Sequence, residues 1–253
     1  MTAALVTGVC GGIGAAVARR LMAQGWRVYG IDVADTEAPP GVLRARADLA
    51  DLAVVPGLFG GLSGLGDVAA VVHAAAVQLP GGIAETGPAQ WSELLTVNVV
   101  AGAEIVRALL GPLVRNRGAV VNIASVHARA TSSGLLAYAT AKAALVGLTR
   151  ALAVELAPHG VRANAVSPGA VDTAMLREGL SRSDDVELAL SAIAGRTPLG
   201  RIGTPEDIAE LTVFLLDSTR SAFITGQEFV ADGGVLSLLS SEAMLPDSVV
   251  APQ

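Results

Sequence analysis

Hydrophobic positions along the chain follow two periods. Apolar runs of strand length recur at 3–6, 26–32, 42–48, 67–76, 118–125, 161–169 and 227–234. Segments with helical spacing fill most of the intervals, at 13–25, 51–62, 88–111, 138–157 and 204–217. In the first of these, Ile13, Val17 and Leu21 fall one turn apart on one face, and Gly25 supplies the stop. Glycine and proline punctuate the joins. Strands alternating with helices predict βαβ units, and so an α/β fold: a Rossmann-type doubly wound parallel sheet, with right-handed crossovers and helices on both faces. No internal repeat or linker breaks the pattern, so residues 1–253 are expected to form a single domain. The polar, irregular stretch 173–203 reads as a flap, and 240–253 as a tail that is frayed or docked on a neighbour.

Composition narrows the field. With 253 residues, 52% hydrophobic and only 16% charged, the chain has material for a large core and for buried subunit contacts. A net charge of −6 without a basic run argues against nucleic acid as a partner. No apolar run approaches the ~18 residues that span a bilayer, so no membrane association is expected. The N-terminal MTAALVTG lacks the basic segment of a secretory signal. Cys10 is the only cysteine, which excludes an internal disulfide and suits a reducing cytoplasm, the expected location. No metal site is assigned.

The candidate chemistry begins at LVTGVCGGIG, residues 5–14, between the first strand and the first helix. In that context the backbone at Gly8, Gly11, Gly12, Ile13 and Gly14 can approach a pyrophosphate, whose charge meets the helix N-terminus. A plain glycine turn is the alternative. Asp32 ends the second strand, followed by Val33. A carboxylate there accepts hydrogen bonds from the adenosine ribose hydroxyls and repels a 2′-phosphate. No Arg or Lys stands in the loop or directly after Asp32, so NAD is expected over NADP. The alternative is a turn or capping aspartate.

Further along, LLAYATAK contains Tyr138 and the only lysine of the chain, Lys142. At i and i+4 the two share a helix face. Oxidising a secondary alcohol requires a base for the hydroxyl proton, and a phenol titrating near ~10 is a poor one at pH 7. A neighbouring ammonium and a positive nicotinamide both favour the phenolate. Ser125, at the end of a strand, is placed to hold the substrate oxygen.

These residues resemble the short-chain dehydrogenase/reductase family over nearly the whole chain. The glycine signature is matched by Thr7, Gly8, Gly12 and Gly14, the tyrosine–lysine motif by Tyr138 and Lys142, and the serine thirteen residues earlier by Ser125. Asn98 matches the family's helix asparagine, and SPGAVDT, residues 167–173, its loop over the nicotinamide. The resemblance implies catalytic roles for Asn98, Ser125, Tyr138 and Lys142, with Lys142 also bonding the nicotinamide ribose and reaching Asn98 through water. It implies further cofactor contacts from Pro168, Gly169, Val171 and Thr173, from Asp48 and Leu49 beside the adenine, and from the backbone of Ala74 and Ala75.

Two departures stand out. HAAA at 73–76 replaces the family's asparagine–asparagine–alanine–glycine, so Ala76 must tolerate a glycine's backbone geometry. His73 reads as a satisfied structural group. The interval from Asp32 to Asp48 leaves little room for a helix, as in family dehydrogenases of cyclic dihydrodiols. His127 is a candidate to line the substrate pocket and Arg129 a remote one for a substrate carboxylate; Cys10 reads as packing, and His159 as solvated.

The expected activity is hydride transfer between NAD(H) and a small, possibly cyclic, secondary alcohol or ketone. The alternatives are an NADPH-dependent 3-oxoacyl carrier-protein reductase and a non-catalytic dinucleotide sensor. The alanine-rich helix at 141–157, apolar on several faces, predicts a homo-oligomer, a tetramer or dimer.

Overall fold

The computed structural model describes residues 2–58, 65–181 and 185–238. These form one parallel sheet from β1 (Ala3–Thr7), β2 (Arg27–Asp32), β3 (Leu43–Arg46), β4 (Val68–His73), β5 (Ala119–Ile123), β6 (Arg162–Pro168) and β7 (Glu228–Ala231). Their order is β3-β2-β1-β4-β5-β6-β7. The chain reverses direction across the sheet between β1 and β4, and a doubly wound sheet binds ligands at the carboxyl ends of the strands flanking such a point.

The helices are α1 (Gly12–Ala23), α2 (Val55–Leu58), α3 (Pro88–Leu95), α4 (Ala101–Ala108), α5 (Leu110–Asn116), α6 (Leu136–Leu156), α7 (Ala174–Gly179), α8 (Val186–Arg196) and α9 (Pro205–Leu216). The period of two in the strands divides the core. Ala4, Val6, Val72 and Val121 join Val17 and Leu21 of α1 and Ile208 and Val213 of α9 on one face. On the other, Leu5, Val71 and Val120 meet Ile105 of α4, Leu113 of α5 and Leu156 of α6. Both faces are covered, which is why the strands read as continuous apolar runs.

Several expectations change. The helical pattern at 88–111 is broken: α3 passes into a π-helical turn, Thr96–Val100, before α4. A bend of 65° then separates α4 from α5, where Pro112 cannot donate to the carbonyl one turn back. The segment at 51–62 becomes a 3-10 turn, Leu52–Val54, and the short α2, with 59–62 outside the described residues. Within 173–203 the described residues, 173–181 and 185–203, are more regular than their polarity suggested. Thr173 caps α7 and Asp185 caps α8 through their side chains. The 240–253 tail lies outside the described residues. Helix α6 is buried on one face only: Ala143, Ala144, Gly147, Ala151 and Val154 are exposed on this chain. Among the described residues no single helix is long and apolar enough to cross a membrane, although the bent run Pro88–Ala108 with Leu110–Asn116 passes on length and composition. Its Leu94, Ile105, Leu109 and Leu113 are buried in the core.

Candidate active site

The carboxyl ends of β1, β4, β5 and β6 converge with the first turns of α1 and α6. The glycine loop is built for close approach. Gly8 has φ +65°, and a Cβ there would lie 2.8 Å from the Ala75 nitrogen. At Gly14 a Cβ would fall 2.1 Å from the carbonyl oxygen of Gly8, so the loop closes tightly onto the start of α1. At Gly12 it would meet Thr173 Cγ2 at 2.6 Å, which brings the 167–173 loop directly against the glycines. This bare cradle at a helix N-terminus fits a dinucleotide pyrophosphate.

Thr7 and His73 join the loop to β4. The Thr7 hydroxyl accepts from Ala74 N at 3.1 Å and Ala75 N at 3.0 Å, which leaves its hydrogen for His73 Nδ1 at 3.0 Å. His73 Nε2–H then donates to Val97 O at 3.1 Å, inside the π-helical turn. This network assigns a neutral imidazole. Burial, reinforced by the charge of Lys142, lowers its pKa to about 4. Gly102 of α4 makes the room, since a Cβ there would stand 2.9 Å from His73 Cδ2. Ala76 needs no glycine geometry: among the described residues only Arg117 combines a side chain with positive φ.

On the adenosine side, Asp32 Oδ2 accepts from Cys10 N at 2.8 Å and Oδ1 from Ala34 N at 2.9 Å. The carboxylate therefore also orders the protein's own turn, with lone pairs left for a ribose. Val33 is 54% exposed beside it. Two arginines missed by sequence reading stand next to this turn, Arg44 and Arg46 of β3, with Arg46 in register with Asp32. Asp48 is exposed and caps Ala50 N at 2.9 Å, whereas Leu49 is buried in the core. Cys10 Sγ reaches Thr36 O at 3.4 Å, and burial together with Asp32 pushes its thiol pKa up, away from reactivity.

The candidate reacting groups lie just past the end of β5, on the π-helical turn and on α6. Tyr138 and Lys142 share one face of α6, with Nζ 5.6 Å from the centroid of the phenol ring. Lys142 is 2% exposed and donates to Ile123 O at 2.8 Å. Burial lowers its pKa to about 7. Burial also raises the Tyr138 pKa, opposed by a hydrogen bond with Ser125. The pull expected of the ammonium and of a bound nicotinamide on the phenol therefore has burial to overcome. Desolvation is the largest influence on both groups and favours their neutral forms. Ser125 caps a 3-10 turn, Val126–Ala128, by accepting from His127 N at 3.2 Å. Asn98 is fully buried, and its carboxamide pairs with the backbone of Val77, accepting at 2.9 Å and donating at 3.0 Å. Such π turns recur at functional sites because they re-aim a side chain within a helix.

The His127 ring stands edge-on to Tyr138, centroids 5.9 Å apart, which puts it at the mouth of the site. Arg129 points elsewhere: it pairs at 3.0 Å with Glu228, a nearly buried carboxylate on β7 that also accepts from Ser167. Pro168 ends β6, Gly169 packs against Asp232, and the Val171 side chain is buried in the core. The Thr173 hydroxyl donates to Val171 O at 3.3 Å. His159 is exposed at the end of the 3-10 turn after α6. Among the described residues no cluster of His, Cys, Asp and Glu suits a metal ion.

Comparisons with known proteins agree with this geometry. A family model described as enoyl-(acyl carrier protein) reductase matches residues 8–236. A Xanthobacter autotrophicus protein named inactive 2-(S)-hydroxypropyl-CoM dehydrogenase 2 is 41% identical over 175 residues, covering 68% of this chain and 75% of its own. The ligand-free Thermoplasma acidophilum aldohexose dehydrogenase superposes with a TM-score of 0.89 at 28% identity, over 96% of this chain and 97% of that one. A 4-hydroxyisoleucine dehydrogenase complexed with NADH superposes with a TM-score of 0.82 at 25% identity, over 94% of this chain and all of the other.

Proposed function

Because the chain belongs to the short-chain dehydrogenase/reductase family, we propose that it is an NAD-dependent oxidoreductase acting on a small secondary alcohol or the corresponding ketone. The observation that carries this reading is the meeting of Ser125, Tyr138 and Lys142 beside the glycine cradle. A bound nicotinamide supplies the hydride acceptor or donor. Ser125 holds the substrate oxygen through its hydroxyl, and Tyr138 takes the proton from that oxygen in oxidation or returns it in reduction. Lys142, protonated, favours the phenolate electrostatically. Asn98 fixes the backbone at Val77, on the loop that follows β4 into the site.

Asp32 supports NAD. Arg44 and Arg46 do not offset it, because their guanidinium groups are already bonded to carbonyls of the adjoining turn and to Asp35. A Chlamydia muridarum relative named 3-oxoacyl-(acyl-carrier-protein) reductase, 35% identical over 171 residues, supports the second reading, an NADPH-linked 3-oxoacyl reductase. The net charge of −6 disfavours docking of an acidic carrier. Absorbance of the reduced nicotinamide, followed with NADH and NADPH across a panel of secondary alcohols and ketones, tests both. Faster rates with NADPH would overturn the cofactor assignment. NADH binding without turnover of any substrate would favour the sensor instead, a relevant outcome given the Xanthobacter protein's description as inactive. The exposed small-residue face of α6 supports a homo-oligomer, which a monomeric mass in light scattering would refute.

A further inference from the structure

The chain between β2 and β3 has no helix to order it. It nonetheless forms the wall beside Asp32, where the proposed cofactor would place its adenosine half. What holds this wall comes from β3. Arg44 and Arg46 lie two residues apart and so lean to the same side of the strand. Arg44 donates through one terminal nitrogen to Ala34 O and through the other to Thr36 O, the latter at 2.8 Å. Arg46 Nε donates to Val33 O at 3.1 Å, and its Nη1 pairs with Asp35 at 2.8 Å. Thr36 O also accepts the thiol of Cys10, which ties the turn back to the glycine loop.

Two observations single out Arg44 from this pair. Its Nε–H is buried and finds no partner among the described residues. A buried donor left unmatched costs stability, so the arrangement calls for a compensating gain elsewhere. Its planar fork also spans two carbonyls at once, which a lysine ammonium is poorly shaped to do. Asp32 from one side and Arg44 from the other grip the same residue, bonding the nitrogen and the carbonyl of Ala34. Val33, immediately before it, is thereby presented to solvent at the edge of the cradle.

We propose that Arg44 is a positioning residue for the adenosine half of the cofactor: it replaces the missing helix by stapling residues 33–36 in the conformation that an adenosine meets. The inference rests on the dinucleotide-binding reading. Without the fork, Ala34 O loses the Arg44 donor and Thr36 O keeps only the weak Cys10 thiol, so the cofactor must order the turn as it binds. The cost falls on ligands that carry adenosine and spares those that do not.

Fluorescence or calorimetric titration of wild type, Arg44→Met and Arg44→Lys with NADH and with reduced nicotinamide mononucleotide, which lacks the adenosine half, tests this. Arg44→Met is expected to weaken NADH about tenfold, the equivalent of one or two hydrogen bonds, and to leave the mononucleotide within twofold. Arg44→Lys, which keeps the charge, is expected to weaken NADH severalfold with the same selectivity, and it decides the matter should the methionine variant fail to fold. Unchanged NADH affinity, or equal weakening of both ligands, would overturn the proposal. Failure of wild type to bind NADH at all would overturn the dinucleotide reading, and the role of Arg44 with it.

Discussion

His73 Nδ1 lies 3.0 Å from the Thr7 hydroxyl, so the end of β4 is tied to the start of the glycine loop through a neutral imidazole. The native pKa of about 4 lies below the ordinary value of 6.5. Between those values the unfolded chain binds the proton and the native one does not. Stability is therefore full above pH 6.5 and falls as the pH drops toward 4, by about 3 kcal/mol in all. His73→Asn is expected to flatten this dependence in urea melts at pH 4.5 and 7. An unaltered slope would mean that another group causes the acid lability.

Tyr138→Phe removes the phenolic proton carrier and keeps the ring packed beside His127. Turnover is expected to fall by about 10²–10⁴, with NADH affinity changed less than threefold. Activity near the wild-type level would rule out Tyr138 as the acid–base group.

Lys142 shifts stability in the same direction but over a higher pH window. Its native pKa of about 7 is below the ordinary 10.5. The unfolded chain binds more protons between these values, so the penalty is complete below pH 7 and disappears as the pH rises to 10.5. Lys142→Met removes that penalty and leaves Ile123 O without its donor. The cofactor-free variant is expected to gain about 2 kcal/mol at pH 7 and to lose activity. Lys142→Arg keeps the charge but places a larger fork in the same buried site, and it too should lose most of the rate. Lower thermal stability of the methionine variant at pH 7 would contradict the assigned burial cost.

Gly14→Ala would put a methyl group 2.1 Å from the backbone oxygen of Gly8. Backbone, unlike a flexible side-chain end, cannot yield cheaply. The cradle should open and NADH affinity drop at least about tenfold. Retention of wild-type affinity would show that the glycine loop does not hold the pyrophosphate.

Arg162 supports the far end of the sheet. Its guanidinium donates to Leu215 O at 2.8 Å and Leu216 O at 3.4 Å, at the end of α9, and to Ile224 O at 3.3 Å in the segment before β7. Arg162→Met should destabilise the chain by about 2–4 kcal/mol without selective loss of cofactor binding. A change below 0.5 kcal/mol in denaturant melts would show that solvent serves those carbonyls equally well.

The strand–helix alternation, the glycine loop, Asp32 and the Tyr138–Lys142 spacing were all legible along the chain, because each is a local pattern within a few turns of backbone. The bend at Leu109 was hidden by the strong apolar periodicity around it, although the segment read as one helix stopped just before Pro112. The capped helices α7 and α8 were hidden for a different reason: polar residues there obscured the helical spacing.

What remained illegible depends on partners far apart in sequence. Arg129 pairs with Glu228, 99 residues away, so its proximity to Ser125 gave no clue to its direction. Arg44 and Arg46 do not follow Asp32 closely in the chain, yet strand register sets them beside its turn. The direction of the Tyr138 and Lys142 shifts was likewise beyond the motif. The sequence by itself determined which groups are available and which share a helix face, since that follows from residue identity and helical period. Only the tertiary structure decided how far each is removed from water and which distant carbonyl or carboxylate meets it, because desolvation and pairing are properties of the packed sheet rather than of any segment.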